Sequence, residues 1–194
     1  REPERESMYR DLETIGHGKL PQAYIEELKG AASMKYAIKV RANGSREPLI
    51  LKVLRLESLM HTAVEFNQLD AMAEYLVKNN GKKYGIFRSI VNASRQAVER
   101  EQNFYNEAKM SEALKTFAYQ NNRDSLKNNI SVPIETVLHE RLMASQYANG
   151  TSIEALSPED QTAAAKTILE IEAKLLFSDA DTIYFDPDRH PGNY

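Results

Sequence analysis

Asp188 and Asn193 stand five residues apart in "FDPDRHPGN", residues 185–193. At that spacing a carboxylate can orient an attacking hydroxyl or accept its proton, while a carboxamide holds Mg²⁺. His190, Pro191 and Gly192 lie between them and make a rigid, close-packed turn. Prolines such as Pro187 and Pro191 fix φ near about −65°, and a glycine permits backbone geometry that a Cβ would block. An Asp and an Asn five apart also occur by chance in surface Asp-Pro loops. The D-R-H-P-G-N setting, after the aromatic pair Tyr184-Phe185, is what separates this stretch from such a loop.

Phosphoryl transfer, the chemistry this pair suits, needs three further parts: backbone over the phosphates, a cation on them, and an anion that positions the cation. The Asp188/Asn193 spacing is that of the protein-kinase loop H-R-D-x-x-x-x-N. Lys52 is the candidate cation. It sits in "LILKVL" with apolar residues on both sides and, as a strand residue, shares the inward face with Ile50 and Leu54. A lysine there is costly unless its ammonium meets an anion; the plainer reading is an edge-strand lysine that snorkels to water. Glu107, in "FYNEAKM" and 55 residues later, is the candidate anion. Taken alone it would be an ordinary solvated helix glutamate.

The elements that must hold these groups can be read from pattern. The first 18 residues are charged and weakly patterned, which predicts a frayed lead-in helix. "LPQAYIEELKG" (20–30) predicts a short helix, with Pro21 near its start and Gly30 after its end. "MKYAIKVRA" (34–42) and "PLILKVLRL" (48–56) predict two strands around a turn signal at Asn43-Gly44. From 57 to about 120 the pattern is helical, with Leu59, Val64, Leu69, Met72 and Leu76 as an apolar series. The segment 94–120 predicts one long helix or two. Residues 130–150 predict two strands, with Pro133 near one end. Residues 157–177 predict a helix with Ser157 as N-cap, Pro158 at the first position and Asp160 in the first turn; Ala164, Ile168, Ile171 and Leu175 form its apolar stripe.

Hairpin, helices, strands, helix, then a polar loop is the order of a protein-kinase-like fold. The expectation is therefore an α+β, two-lobed architecture, with a small antiparallel β lobe and a partial helical lobe. Residues 1–30 form a helical lead-in, 31–150 the small lobe with inserted helices and a hinge, and 151–194 the start of the large lobe with the catalytic loop.

Composition bounds the partners. In 194 residues, hydrophobic content is 42% and charged content 27%, enough for a core in a water-facing protein. The net charge of −3 argues against a nucleic-acid binder held by bulk charge, and pairs such as Lys82-Lys83 read as a solvated face. Cysteine is absent, which excludes disulfides, thiolate catalysis and cysteine metal sites and fits a reducing compartment. No apolar run approaches the roughly 18 residues of a membrane span, and no signal-peptide pattern is present. A cytoplasmic protein, at most peripheral to a membrane, is the expectation. The start at Arg1 rather than Met, and the stop one residue past the loop, suggest a piece of a longer protein.

The whole set of motifs resembles the UbiB/AarF atypical kinases, the family tied to coenzyme Q biosynthesis. That family has an alanine-rich phosphate loop, A-A-A-S; here "GAAS" (30–33) precedes the hairpin. Its V-A-V-K strand is matched by "LILK" ending at Lys52, and its E-x-D-[FY]-x-x-E-A helix by "EQNFYNEA" (101–108). Its V-P-x-V and R-V-L-x-M-E-Y-V-D-G hinge is matched by "VPIETV" and "RLMASQYANG", and its F-H-A-D-P-H-P-G-N loop by "FDPDRHPGN". "LPQAYIEEL" resembles the segment just ahead of the family's fold. The resemblance implies ATP with Mg²⁺ or Mn²⁺ as cofactors. It implies that Ala31, Ala32 and Ser33 cover the phosphates, that Lys52 pairs with Glu107 and touches them, and that the backbone of Gln146, Tyr147 and Ala148 holds the adenine. Asp188 would be the catalytic aspartate and Asn193 a metal ligand. The phosphoryl acceptor, whether protein, lipid, small molecule or water, is left open.

The chain departs from the family at several points. It has no K-x-G-Q signature, Asn103 stands where E-x-D has its Asp, and Asp186, Pro187 and Arg189 replace the histidine, alanine and proline of the loop. Family members also carry a few dozen more residues between the segments matching "EELKG" and "AAS". The second acidic metal ligand, a D-F-G-like aspartate, would stand past Tyr194. Two alternatives follow. D-R-H-x-x-N is also the loop of phosphoinositide kinases, although their acidic run after the lysine strand is here "VLRLES". A pseudokinase or binding module would keep the fold without transferring phosphate. Asp186-Pro187-Asp188 further resembles the acidic metal motif of some glycosyltransferases, but no nucleotide-sugar pattern accompanies it.

Overall fold

A computed structural model describes residues 2–15, 25–31, 34–41, 47–80, 84–120 and 131–177. The chain divides into two compact units, Arg1–Met110 with Ile134–Tyr147, and Ser111–Pro133 with Ala148–Tyr194.

The first unit is an α+β layer built on one antiparallel sheet. Its strands are β1 (Ile25–Ala31), β2 (Lys35–Val40), β3 (Leu49–Leu54), β4 (Glu135–His139) and β5 (Leu142–Gln146), in the order β1-β2-β3-β5-β4. β2 and β3 pair in unbroken register from Lys35↔Leu54 to Val40↔Leu49, the predicted hairpin. Because side chains alternate across a strand, Tyr36, Ile38, Val40, Leu51 and Val53 line one face and Lys35, Ala37, Lys39 and Lys52 the other. The first face is covered by helix α1 (Glu2–Thr14), whose Met8 and Leu12 are fully buried on it together with Ile15. Spacings of four and three residues put those side chains on one helical stripe. The lead-in helix is thus present but packed rather than frayed.

A buried ion pair pins α1 in place. Asp11 Oδ1 accepts from Arg141 Nη2 at 2.9 Å and from the backbone N–H of Leu56 at 3.1 Å. Leu56 opens helix α2 (Leu56–Asn80), so one carboxylate ties α1, the positive end of α2 and the β4–β5 turn together. Helix α3 (Gly85–Glu101) returns alongside α2, and Arg95 on it pairs with Asp70 and donates to the Phe66 carbonyl at 3.3 Å.

Two expectations are corrected here. The helix over 20–30 is not formed in the described part: Ile25–Ala31 is an edge strand, while 20–24 lie outside the described residues. Glu, Leu and Ala favour a helix locally, but pairing with β2 satisfies the backbone, and Glu26 reaches Lys39 at 3.5 Å and Arg41 across the strand. On α2, Val64 and Met72 of the apolar series face solvent, whereas Ala73 is buried; the period foretold the helix but not its packed side.

In the second unit, helix α5 (Pro158–Leu176) opens as expected: Ser157 Oγ accepts the Asp160 N–H at 3.2 Å, with Pro158 in the first turn. Leu175 and Ile171 of its stripe pack with Leu114, Phe117 and Ala118, which belong to the C-terminal half of helix α4 (Phe104–Gln120).

Candidate functional site

The lysine-bearing face of the sheet holds the site. Phe104, at the start of α4, is fully buried with Leu54 and Met143, and Ala108, one turn on, packs beside it with Leu59 and Val137. These contacts seat the first turn of α4 on the sheet. The break that starts this helix is made by Asn103, whose Oδ1 accepts the Asn106 N–H at 3.1 Å. The segment 94–120 is accordingly two helices, and the helix that matters begins at this cap.

Glu107 then falls in the first turn of α4, where the helix dipole favours a carboxylate. Its Oε1 accepts from Lys52 Nζ at 2.6 Å and its Oε2 from Lys35 Nζ at 3.1 Å. Lys52 stands on β3 between Ala37 of β2 and Met143 of β5 in the register, and the small Ala37 leaves space for its stem. The same ammonium donates to Glu135 Oε1 of β4 at 3.0 Å. The Glu135 side chain is 3% exposed and that of Lys52 27%. The Lys35 ammonium lies 5.5 Å from the Phe104 ring centroid, within cation–π range.

The electrostatics follow. Burial draws the Lys52 pKa down, but hydrogen bonds and charges from Glu107 and Glu135 outweigh it and hold the pKa above its ordinary value. Burial pushes Glu107 up, and Lys52 and then Lys35 overcome this, so its pKa is lowered. Both partners therefore stay charged at neutral pH.

Of the residues expected in the site, Lys52 and Glu107 are brought together. Sequence reasoning missed Lys35 and Glu135; both sit inside quoted motif stretches, but only the strand register shows that they share a face with Lys52. Gln146 ends β5 opposite Leu49, and its N–H donates to the Ile134 carbonyl at 2.9 Å. Tyr147 follows, with the Lys39 ammonium 4.4 Å from its ring centroid. Ala148 begins the next stretch of the second unit. Ala31 is the last residue of β1, opposite Tyr36 of the antiparallel β2. Ala32, Ser33, Asp186, Asp188, Arg189 and Asn193 lie outside the described residues. Among the described residues there is no group of His, Asp and Glu that could hold a metal ion, and no helix is long and apolar enough to cross a membrane.

A lysine on the third strand of an antiparallel sheet, paired with a glutamate on a following helix, is the arrangement kinases use on the α- and β-phosphates. The family model of the ABC1 atypical kinase-like domain matches residues 11–194. The chain belongs to this family. No protein of curated function matches it. ABC1 membership agrees with the UbiB/AarF resemblance and with the α+β, kinase-like fold.

Proposed function

We propose that this ABC1-family chain is an ATP- and Mg²⁺-dependent phosphotransferase or ATPase. The observation that carries the reading is the Lys52–Glu107 pair at 2.6 Å, half-shielded and joined by a second cation. The chain's residues suit the phosphate end of a nucleotide, because two ammonium groups meet on one carboxylate and the Lys52 side chain keeps part of its surface open. Lys52 would hold the phosphates while Glu107 fixes its direction. Ala31, Ala32 and Ser33 would cover them from the β1–β2 connection. With the Gln146 N–H engaged by Ile134, contact with the base would fall to the backbone of Tyr147 and Ala148. Asp188 would orient the acceptor, and Asn193 would hold the metal. Mg²⁺-ATP, when bound, supplies the activated γ-phosphoryl group.

Thermal shift of the full-length protein with ATP, ADP and GTP, each with and without Mg²⁺ or Mn²⁺, tests this reading. Ligand at 100 times its dissociation constant stabilises a fold by about 2.7 kcal/mol, a readable shift. Lys52→Ala should abolish the shift while leaving the fold largely intact, at a lower ligand-free melting temperature because buried Glu135 loses this ammonium. A Lys52→Ala protein that binds and hydrolyses ATP like the parent would reduce Lys52 to a strand lysine.

A further inference from the structure

Lys52 faces more negative charge than its kinase-like role requires. One carboxylate, Glu107, is enough to orient it, yet Glu135 also holds the same ammonium at 3.0 Å from an almost fully enclosed position. Among Lys52, Glu107 and Glu135 alone, one ammonium faces two carboxylates, a balance that disfavours a polyphosphate. The Lys35 ammonium on the second Glu107 oxygen brings the four groups to zero. Lys35 sits where such a cation is useful. It is the first residue of β2, directly after the connection from β1, and two residues along the sheet from the Lys52 row, opposite Leu54. Its side chain is 21% exposed, and it lies against the Phe104 ring instead of extending into water. Glu107 is the anion that holds it in the ligand-free state, and the ammonium's remaining N–H donors and exposed surface are left for phosphate oxygens.

From this we infer that Lys35 is a second phosphate-positioning cation, and that Glu135 is the carboxylate it offsets. The inference deepens the nucleotide-binding reading and rests on it. The ligand class it specifies is a nucleotide with an extended phosphate chain, since two ammonium groups on separate strands suit more than one phosphate.

The test is calorimetric binding of ATP and AMP to the full-length protein and three variants, each checked for a cooperative ligand-free melting transition. Lys35→Met keeps the apolar stem on Phe104 and removes the charge; it should weaken ATP by about tenfold and AMP little. Adding Glu135→Gln to Lys35→Met should return ATP affinity toward the parent. Glu135→Gln alone should strengthen ATP binding severalfold, and this arm reads the same charge balance even if Lys35→Met folds poorly. Equal losses for ATP and AMP, or weaker ATP binding in Glu135→Gln, would overturn the inference and leave Lys35 as a prop for Glu107. A parent that binds no nucleotide would overturn the proposed function itself, whereas a parent that binds ATP and a Lys35→Met variant that binds it equally well would overturn only this inference.

Discussion

Replacing Asp11 with Ala should be among the most damaging single changes outside the site. The Asp11 side chain is 8% exposed and that of Arg141 11%. Besides Asp11, the Arg141 guanidinium donates to Thr14 Oγ1 at 3.0 Å and to the Leu54 carbonyl at 3.2 Å. Removing the carboxylate leaves a buried guanidinium without its counter-charge and the Leu56 N–H without its acceptor. Breaking a buried pair from one side costs about 3–5 kcal/mol. For a chain of this size that is a fall in melting temperature on the order of 10 °C. Removing both charges, as Asp11→Ala with Arg141→Met, should cost less than the two single changes together, because the stranded charge is gone. Circular-dichroism melts of the four proteins in one buffer measure the coupling. A shift below about 2 °C for Asp11→Ala, or strict additivity in the double variant, would refute the view that this pair clamps α1, α2 and the β4–β5 turn.

Two further outcomes follow from the site. Asn103→Ala should cost about 1 kcal/mol by removing the cap of α4 and should loosen the Glu107–Lys52 pair, whereas Asn103→Asp should match the parent, since both side chains accept the same N–H; a denaturant titration distinguishes them. The pH dependence has a defined sign. The lowered pKa of Glu107 means its stabilisation is present above its unfolded value near 4.5 and is lost as pH falls through the lower folded value. The raised pKa of Lys52 means its contribution is complete below 10.5 and disappears as pH climbs through the higher folded value. Glu107→Gln should flatten the acid limb of the stability curve below about pH 4.5, and an unchanged limb would remove Glu107 from it.

Much of this was legible in the sequence where the signals are local. Strand periodicity around Asn43-Gly44 foretold β2 and β3, and Ser157-Pro158 with Asp160 foretold the start of α5, because alternation and caps act over a few residues. Lys52 and Glu107 were legible as chemistry, as a charge in an apolar strand and a glutamate in a motif. Glu135 and Lys35 were not, since their roles depend on β5 inserting between β3 and β4 and on which face each strand presents. The Asp11–Arg141 pair joins residues 130 apart and leaves no trace in local pattern. At 25–31 the local helix preference was overridden by an open sheet edge. Asn103, read from sequence as a departure from the family motif, keeps the acceptor oxygen that capping requires.

The most direct measurement is phosphate release or transfer from Mg²⁺-ATP by full-length protein, set beside nucleotide binding, for the parent, Lys52→Ala and Asp188→Ala. In-line transfer is stabilised mainly by position and charge, so the groups separate by role. Lys52→Ala should lose binding and turnover together. Asp188→Ala should lose turnover while nucleotide still stabilises the fold. An Asp188→Ala protein with undiminished phosphoryl transfer would contradict the proposed chemistry.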